Sequence, residues 1–311
     1  MATLQETQQA PPQARQQPTS GATTSGAAEM PAYLHDWAPG AVLDSHRALP
    51  ARIDHRLLGG KDGFHADRTA AEQLAQAVPG FAQGLPARRR FVERALRYLV
   101  QDEQVRDVLI LGAGLPSLPY LHEVVQAKSP QARVVYVDDD PLVLSHLRAE
   151  LTCLPLGRLA VVGGKLSDPQ RLLGSSAVGG LLAAGRPVAV VVESVLEFIA
   201  DGEDPQRLVA ELMAGLPQGS WLVFSHATSD FASAMWRMIA DIYRSHGIEI
   251  FPRPREQVAG FLDRMVLTEP GLVPVDRWRP DAQALPELGD VEVSRYGAVG
   301  RLALPGEGGA R

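Results

Sequence analysis

One stretch of this chain restricts it to few folds. Residues 108–124 read VLILGAGLPSLPYLHEV, and residues 134–141 read VVYVDDDP. An apolar run, a glycine turn, a helix-compatible segment, a second apolar run and an acidic tip follow one another, which is the order of a Rossmann-like strand-helix-strand unit. Gly112 and Gly114 let the backbone turn sharply and approach a ligand where a Cβ would intrude. Asp138, at the tip of the second run, is placed to accept hydrogen bonds from ribose hydroxyls. The unit therefore implies an adenosyl-type ligand without saying which one.

The bulk properties narrow the class. With 311 residues, 45% of them hydrophobic, the chain can bury a sizeable core. A net charge of −6 argues against a general nucleic-acid binder, which normally presents a basic face. No apolar run is long enough to span a bilayer, and the first residues lack the apolar core of a signal peptide. A cytoplasmic protein with a small-molecule ligand, no membrane partner and no nucleic-acid partner is expected, its oligomeric state left open. The single cysteine, Cys153, excludes an internal disulfide and a cysteine-based metal site. His55, His65, His122 and His226 show no metal-ligand spacing, so no metal is expected.

Organisation follows from composition. Residues 1–30, rich in Gln, Ala, Pro, Thr and Ser, have too few large apolar side chains to fold and read as a disordered tail. Residues 31–105 read as an N-terminal cap: an irregular lead-in, then helical patterns over about 67–77 and 87–101, the second with Phe91, Ala95, Tyr98 and Leu99 on one face. Residues 106–305 read as the ligand-binding domain. Apolar runs at 108–111, 133–137, 159–162, 188–192 and 221–225 alternate with helix-like segments, which predicts an α/β domain with a mostly parallel sheet covered on both faces. After a long helix to about His246 and a shorter one over 255–262, the last run, 291–303, predicts an antiparallel edge strand. A dehydrogenase would repeat its first half, and no repeat is present.

The glycine turn departs from the dinucleotide pattern G-x-G-x-x-G, because Ser117 occupies the third glycine position, so NAD is disfavoured. In RLLGGKDGFHADR, residues 56–68, Lys61 and Asp62 are positioned to close a loop over the cofactor, with Phe64 as anchor. The plainer reading is a helix N-cap by Asp62 or Asp67. Glu193 ends the fourth run, where ligands collect at the carboxyl edge of a parallel sheet. Glu197, one helical turn on, would act as a general base if burial raised its pKa. His226 and, less so, His122 are further candidates, against the commoner reading of a structural histidine.

LLGGKDGFHADR, RRRFVERALRYL, GAGLPS, HEVVQ, VVYVDDDP, SHAT and EPGLVPVDRWRPD together resemble the actinobacterial S-adenosylmethionine-dependent methyltransferase family first catalogued as a domain of unknown function. The resemblance runs from about Pro50 to Asp281. It implies the class I methyltransferase Rossmann-like fold, a mostly parallel seven-stranded sheet with an antiparallel edge strand, and S-adenosylmethionine as cofactor. LGAGL and ESVLEF are also similar to the leucine carboxyl methyltransferase group. The expected activity is methyl transfer to an oxygen or nitrogen of a small metabolite. The expected site is Lys61, Asp62, Gly112, Ala113, Gly114, Asp138, Asp139, Asp168 and Glu193 for the cofactor, with Glu197 and His226 as catalytic groups. The chain departs from the family pattern at Ile110, where an acid is usual, at Lys165, where an aspartate takes the adenine amine, at Glu197, which replaces a histidine, and at Asp54, His55 and Arg56, where a tyrosine and an aspartate usually stand upstream of the LLGGKD loop. A lysine only donates and cannot replace that aspartate, though Asp168 lies three residues on. These departures motivate the alternative of a fold-retaining binding protein with weakened cofactor use.

Overall fold

The structure, a computed structural model, describes residues 33–36, 43–281 and 288–304. The expected tail, residues 1–30, lies outside them. The chain begins with strand β1 (Tyr33–Asp36) and three helices, α1 (Pro50–Leu57), α2 (His65–Ala77) and α3 (Phe81–Gln101). The alternating part follows as β2 (Asp107–Leu111), α4 (Leu121–Gln126), β3 (Arg133–Asp138), α5 (Pro141–Glu150), β4 (Arg158–Gly163), α6 (Pro169–Leu173), α7 (Ser176–Leu182), β5 (Val188–Glu193), α8 (Pro205–Ala214) and β6 (Trp221–Ala227). Then come α9 (Ser233–Ser245), α10 (Arg255–Gly260), β7 (Met265–Leu267), β8 (Val273–Pro274), α11 (Asp290–Val293) and β9 (Arg295–Leu302).

One sheet holds nine strands in the order β1-β4-β3-β2-β5-β6-β9-β7, with β8 also on β9. From β1 to β6 all neighbours are parallel, and β9 pairs antiparallel with β6, β7 and β8. The core of the expected seven-stranded class I sheet is present, extended by β1 at one edge and the two-residue β8. The last strand is not the edge: β9 lies between β6 and β7, and β7 closes that side.

Alternation along the buried strands separates two cores. Leu109, Leu111, Val135, Val137, Val190 and Val192 face α6, α7 and α8. Val108, Ile110, Val134, Tyr136 and Val191 face α3, α4 and α5. Each fully buried Val or Leu contributes roughly 1.5–3 kcal/mol of transfer free energy. The expected cap divides accordingly. Phe91, Val92, Ala95, Leu96 and Leu99 make α3 a layer of the sheet itself, whereas α1 and α2 pack Ile53, Ala70 and Leu74 against Trp236, Ile239 and Tyr243 of α9 in a third core.

Register sets the working edge. Leu111 pairs with Val137 on one side and Val192 on the other, so Gly112, Asp138 and Glu193 leave the sheet side by side. The α1 helix lies across this edge. Pro50 at its first position suits the fixed φ and absent donor of proline.

Candidate functional site

The carboxyl edge and the helices above it enclose a cleft of about 920 Å³, within the range of ligand pockets. Its lining at one end is the β2 turn, Val137, Asp138, Asp139 and the segment Gly164–Ser167 after β4. Its other end is formed by Asp54 and Leu58 of the α1 region, Leu85, Pro86 and Arg88 of α3, and Glu193, Ser194, Phe198 and Ile199 from β5 onward.

The turn is built by backbone. Gly112 and Gly114 have φ of +63° and +67°, and a Cβ on Gly112 would lie 2.4 Å from Val195 Cγ2. Ala113 N donates to Val137 O at 3.1 Å, tying the turn to β3. Asp138 Oδ2 accepts from Gly114 N and its Oδ1 from Asp140 N, both at 2.9 Å. Burial pushes the Asp138 carboxyl up to about 7, against the lowering effect of those two amide donors. A buried acceptor beside a Cβ-free turn fits a nucleoside sugar and a chain packed on backbone.

The three consecutive aspartates separate into three tasks. Asp139 is exposed and pairs with Lys165 Nζ at 3.1 Å across the mouth of the cleft. Asp140 caps α5 through Leu142 N and receives Arg52 of α1 in two bonds, 2.7 Å from Nε and 2.6 Å from Nη2. That buried pair fastens α1 over the turn.

At the other end, Arg88 organises the cleft. Its Nη1 donates to Asp54 Oδ2 and to Ser194 Oγ, each at 2.9 Å, while its Nε faces Glu193 Oε1. Burial alone would lower the guanidinium, but Glu193 and Asp54 outweigh it and hold Arg88 above its ordinary value. Sequence reasoning missed Arg52, Asp54 and Arg88 as site residues. Pro50, as a helix-opening signal, could have revealed α1 and hence the first two.

The remaining expected site residues fall elsewhere. Lys61 and Asp62 are exposed and do not line the cleft, though Asp62 lies 3.2 Å from His55 Nε2, and His55 does line it. The neighbouring Asp67 takes the plainer role, accepting from Phe64 N at the start of α2. Asp168 caps α6 by accepting from Arg171 N and is also absent from the lining. Ile110 faces the α3 layer rather than the cleft.

Glu197 and His226 need correction as catalytic groups, because both are fully buried behind the cleft wall. Burial would raise the Glu197 carboxyl, but Arg295 Nη1 at 2.6 Å and the Ser194 hydroxyl at 2.7 Å bring it down to about 2. A base needs the opposite shift. Burial lowers His226 to about 4. With Nδ1–H donating to Ala227 O at 2.7 Å and Nε2 accepting from Arg253 at 2.9 Å, its neutral tautomer is fixed. His122 is likewise buried, on Tyr136 OH and Thr152 O.

Among the described residues no cluster of His, Cys, Asp and Glu could hold a metal, and no helix is long and apolar enough to cross a membrane. No curated protein matches the chain. A solved DUF574 family protein from Streptomyces avermitilis is 34% identical, with a TM-score of 0.81 over 84% of this chain and 100% of that one. A protein from Thermobifida fusca, described as a candidate methyltransferase, is 32% identical, with a TM-score of 0.77 over 87% of this chain and 100% of that one. The S-adenosyl methyltransferase family profile matches residues 36–303. With the glycine turn, the buried Asp138 and the class I sheet in place, the chain belongs to the S-adenosyl methyltransferase family and is an S-adenosylmethionine-dependent methyltransferase.

Proposed function

We propose that the chain transfers a methyl group to an oxygen or nitrogen of a small molecule bound at the Arg88 end of the cleft. The observation that carries this reading is one continuous cleft with two dissimilar ends. A glycine turn and a buried carboxylate occupy one, and a mainly apolar wall with a few charged groups occupies the other. S-adenosylmethionine supplies a methyl already activated by its sulfonium. The protein's remaining task is orientation, which can contribute several kcal/mol without covalent catalysis.

In this reading Gly112, Ala113 and Gly114 cradle the cofactor through backbone. Asp138 accepts from the ribose hydroxyls, and Asp139, Lys165 and Leu166 flank the base. The pair Arg52–Asp140 holds α1 as the roof. Glu193 and Ser194 then lie between cofactor and acceptor. Calorimetric titration with S-adenosylmethionine and S-adenosylhomocysteine tests the reading: micromolar binding is expected, and no heat or thermal shift up to millimolar ligand would overturn it. Binding without release of S-adenosylhomocysteine across a broad acceptor panel would instead favour a binding protein, the reading that Lys165 at the adenine position motivates.

A further inference from the structure

The carboxylates and the hydroxyl around Arg88 are arranged as acceptors. Arg88 supplies one positive charge between two carboxylates, Asp54 and Glu193, which leaves this cluster one negative charge in excess. Ser194 Oγ donates its proton to Glu197 Oε1 at 2.7 Å, and Arg295 keeps that carboxylate ionised. The hydroxyl therefore offers only lone pairs to anything else, one of them already taken by Arg88 Nη1. Ser194 sits at φ +58°, a left-handed conformation unusual for a residue with a Cβ. Such strain persists where the surroundings over-determine a residue, as they do here from Arg88 and Glu197.

Most other cations of the cleft have partners of their own. Arg89 is taken up by Ser117 O and Pro119 O, Arg97 by Glu93 and Asp281, and Lys165 by Asp139. Arg90 also has partners of its own. Arg47, just before α1, also lines the cleft, and the first turn of α1 lies beside Gly114. Among the described residues Glu193 has Arg88 as its one charged partner. The wall around these groups is apolar, with Leu58, Leu85, Pro86, Phe198 and Ile199.

We propose that this end of the cleft recognises a protonated amine on an apolar body, so that the methyl acceptor is a small alkyl- or arylalkylamine and not a carboxylate. This proposal rests on the methyl-transfer reading above. The incoming R–NH3⁺ pairs with Glu193 and gives up one proton to that carboxylate, which passes it to solvent. The freed nitrogen lone pair forms the N–C bond while the C–S bond breaks and its electrons remain on sulfur. The products are the methylated ammonium, a neutral thioether and one released proton. A carboxylate would instead enter beside two like charges, Asp54 and Glu193, that already share the one guanidinium of Arg88.

The test uses the full chain saturated with S-adenosylhomocysteine and three matched probes, phenethylamine, 2-phenylethanol and phenylacetate, followed by calorimetry. The amine is expected to bind at least tenfold more tightly than the alcohol, and the acid not to bind. Glu193→Gln should reduce the amine-to-alcohol preference about tenfold while changing the alcohol's own affinity less than threefold. Asp54→Asn provides the same comparison if the first variant does not fold. The proposal is overturned if phenylacetate binds as well as the amine, if no probe binds, or if the preference survives in the variants. Failure of S-adenosylhomocysteine to bind would count against the cofactor reading instead, and the same probes on the cofactor-free chain would still decide the question of the amine.

Discussion

Replacing Glu197 by Gln tests whether this residue is a structural counter-ion, as its surroundings require, or a base. Its carboxyl loses a proton at about pH 2 in the folded chain and near 4.5 when unperturbed. At 1.36 kcal/mol for each pH unit between those values, the ionised group contributes roughly 3 kcal/mol at neutral pH. Removing one partner of a buried pair independently suggests about 3–5 kcal/mol. Glutamine keeps the side-chain volume and an acceptor for Arg295, so about 3 kcal/mol is the expected loss. For a chain of this size that corresponds to a fall in Tm of roughly 5 °C. The pH dependence has a definite sign. Because the folded-state pKa is depressed, the stabilisation is fully present above about pH 4.5 and is lost as pH falls through 2. Urea and thermal unfolding of both proteins from pH 7 to 3 should therefore show a gap that is constant down to about pH 5 and narrows below. A gap under 1 kcal/mol at pH 7, or one that does not narrow in acid, would refute the argument. So would a fully stable variant that had lost methyl transfer.

Four further outcomes follow from the same geometry. Gly112→Ala places a Cβ 2.4 Å from Val195 Cγ2 in a left-handed conformation worth about 1–2 kcal/mol of strain, and calorimetry should show at least tenfold weaker S-adenosylmethionine binding. Because burial raises the Asp138 carboxyl to about 7, folded-state stability of the cofactor-free chain should be lost as pH rises through 7, and Asp138→Asn should remove that loss in pH-dependent melts. If Asp138 accepts from the ribose, cofactor affinity should weaken below about pH 7 in the parent chain and lose that pH dependence in the same variant. Arg52→Met leaves Asp140 buried without its partner, and urea unfolding should register a loss of about 3–5 kcal/mol.

The sheet was legible in the sequence because each buried parallel strand is a short apolar run, and the five runs match the observed strands to within two residues. The helices before β2 were less so. The helical pattern is legible only from about residue 87, yet α3 begins at Phe81 and takes in Gly84 and Pro86, and Pro86 lines the cleft. The glycine turn could be found because it depends on local backbone conformation. The roles of Asp138, Asp139 and Asp140 could not be separated by spacing, since a partner from α1 or the β4 loop decides each. Glu197 and His226 were misread for the same reason. Arg295 is 98 residues from Glu197 and Arg253 is 27 from His226, and sequence proximity says nothing of such pairs.

The place of β9 between β6 and β7 bears on how the chain grows. When synthesis reaches Leu267, β7 has no strand to join, because among the described residues its one neighbour, β9, has not been made. Until then β6 keeps an open hydrogen-bonding edge, and Glu197 lacks the Arg295 that balances it. The half of the sheet with the glycine turn has all its strands by Ala227, whereas the other side closes in one late event about seventy residues on. A fragment ending before Arg295 would combine an exposed strand edge with an unbalanced interior charge, both of which promote aggregation over folding.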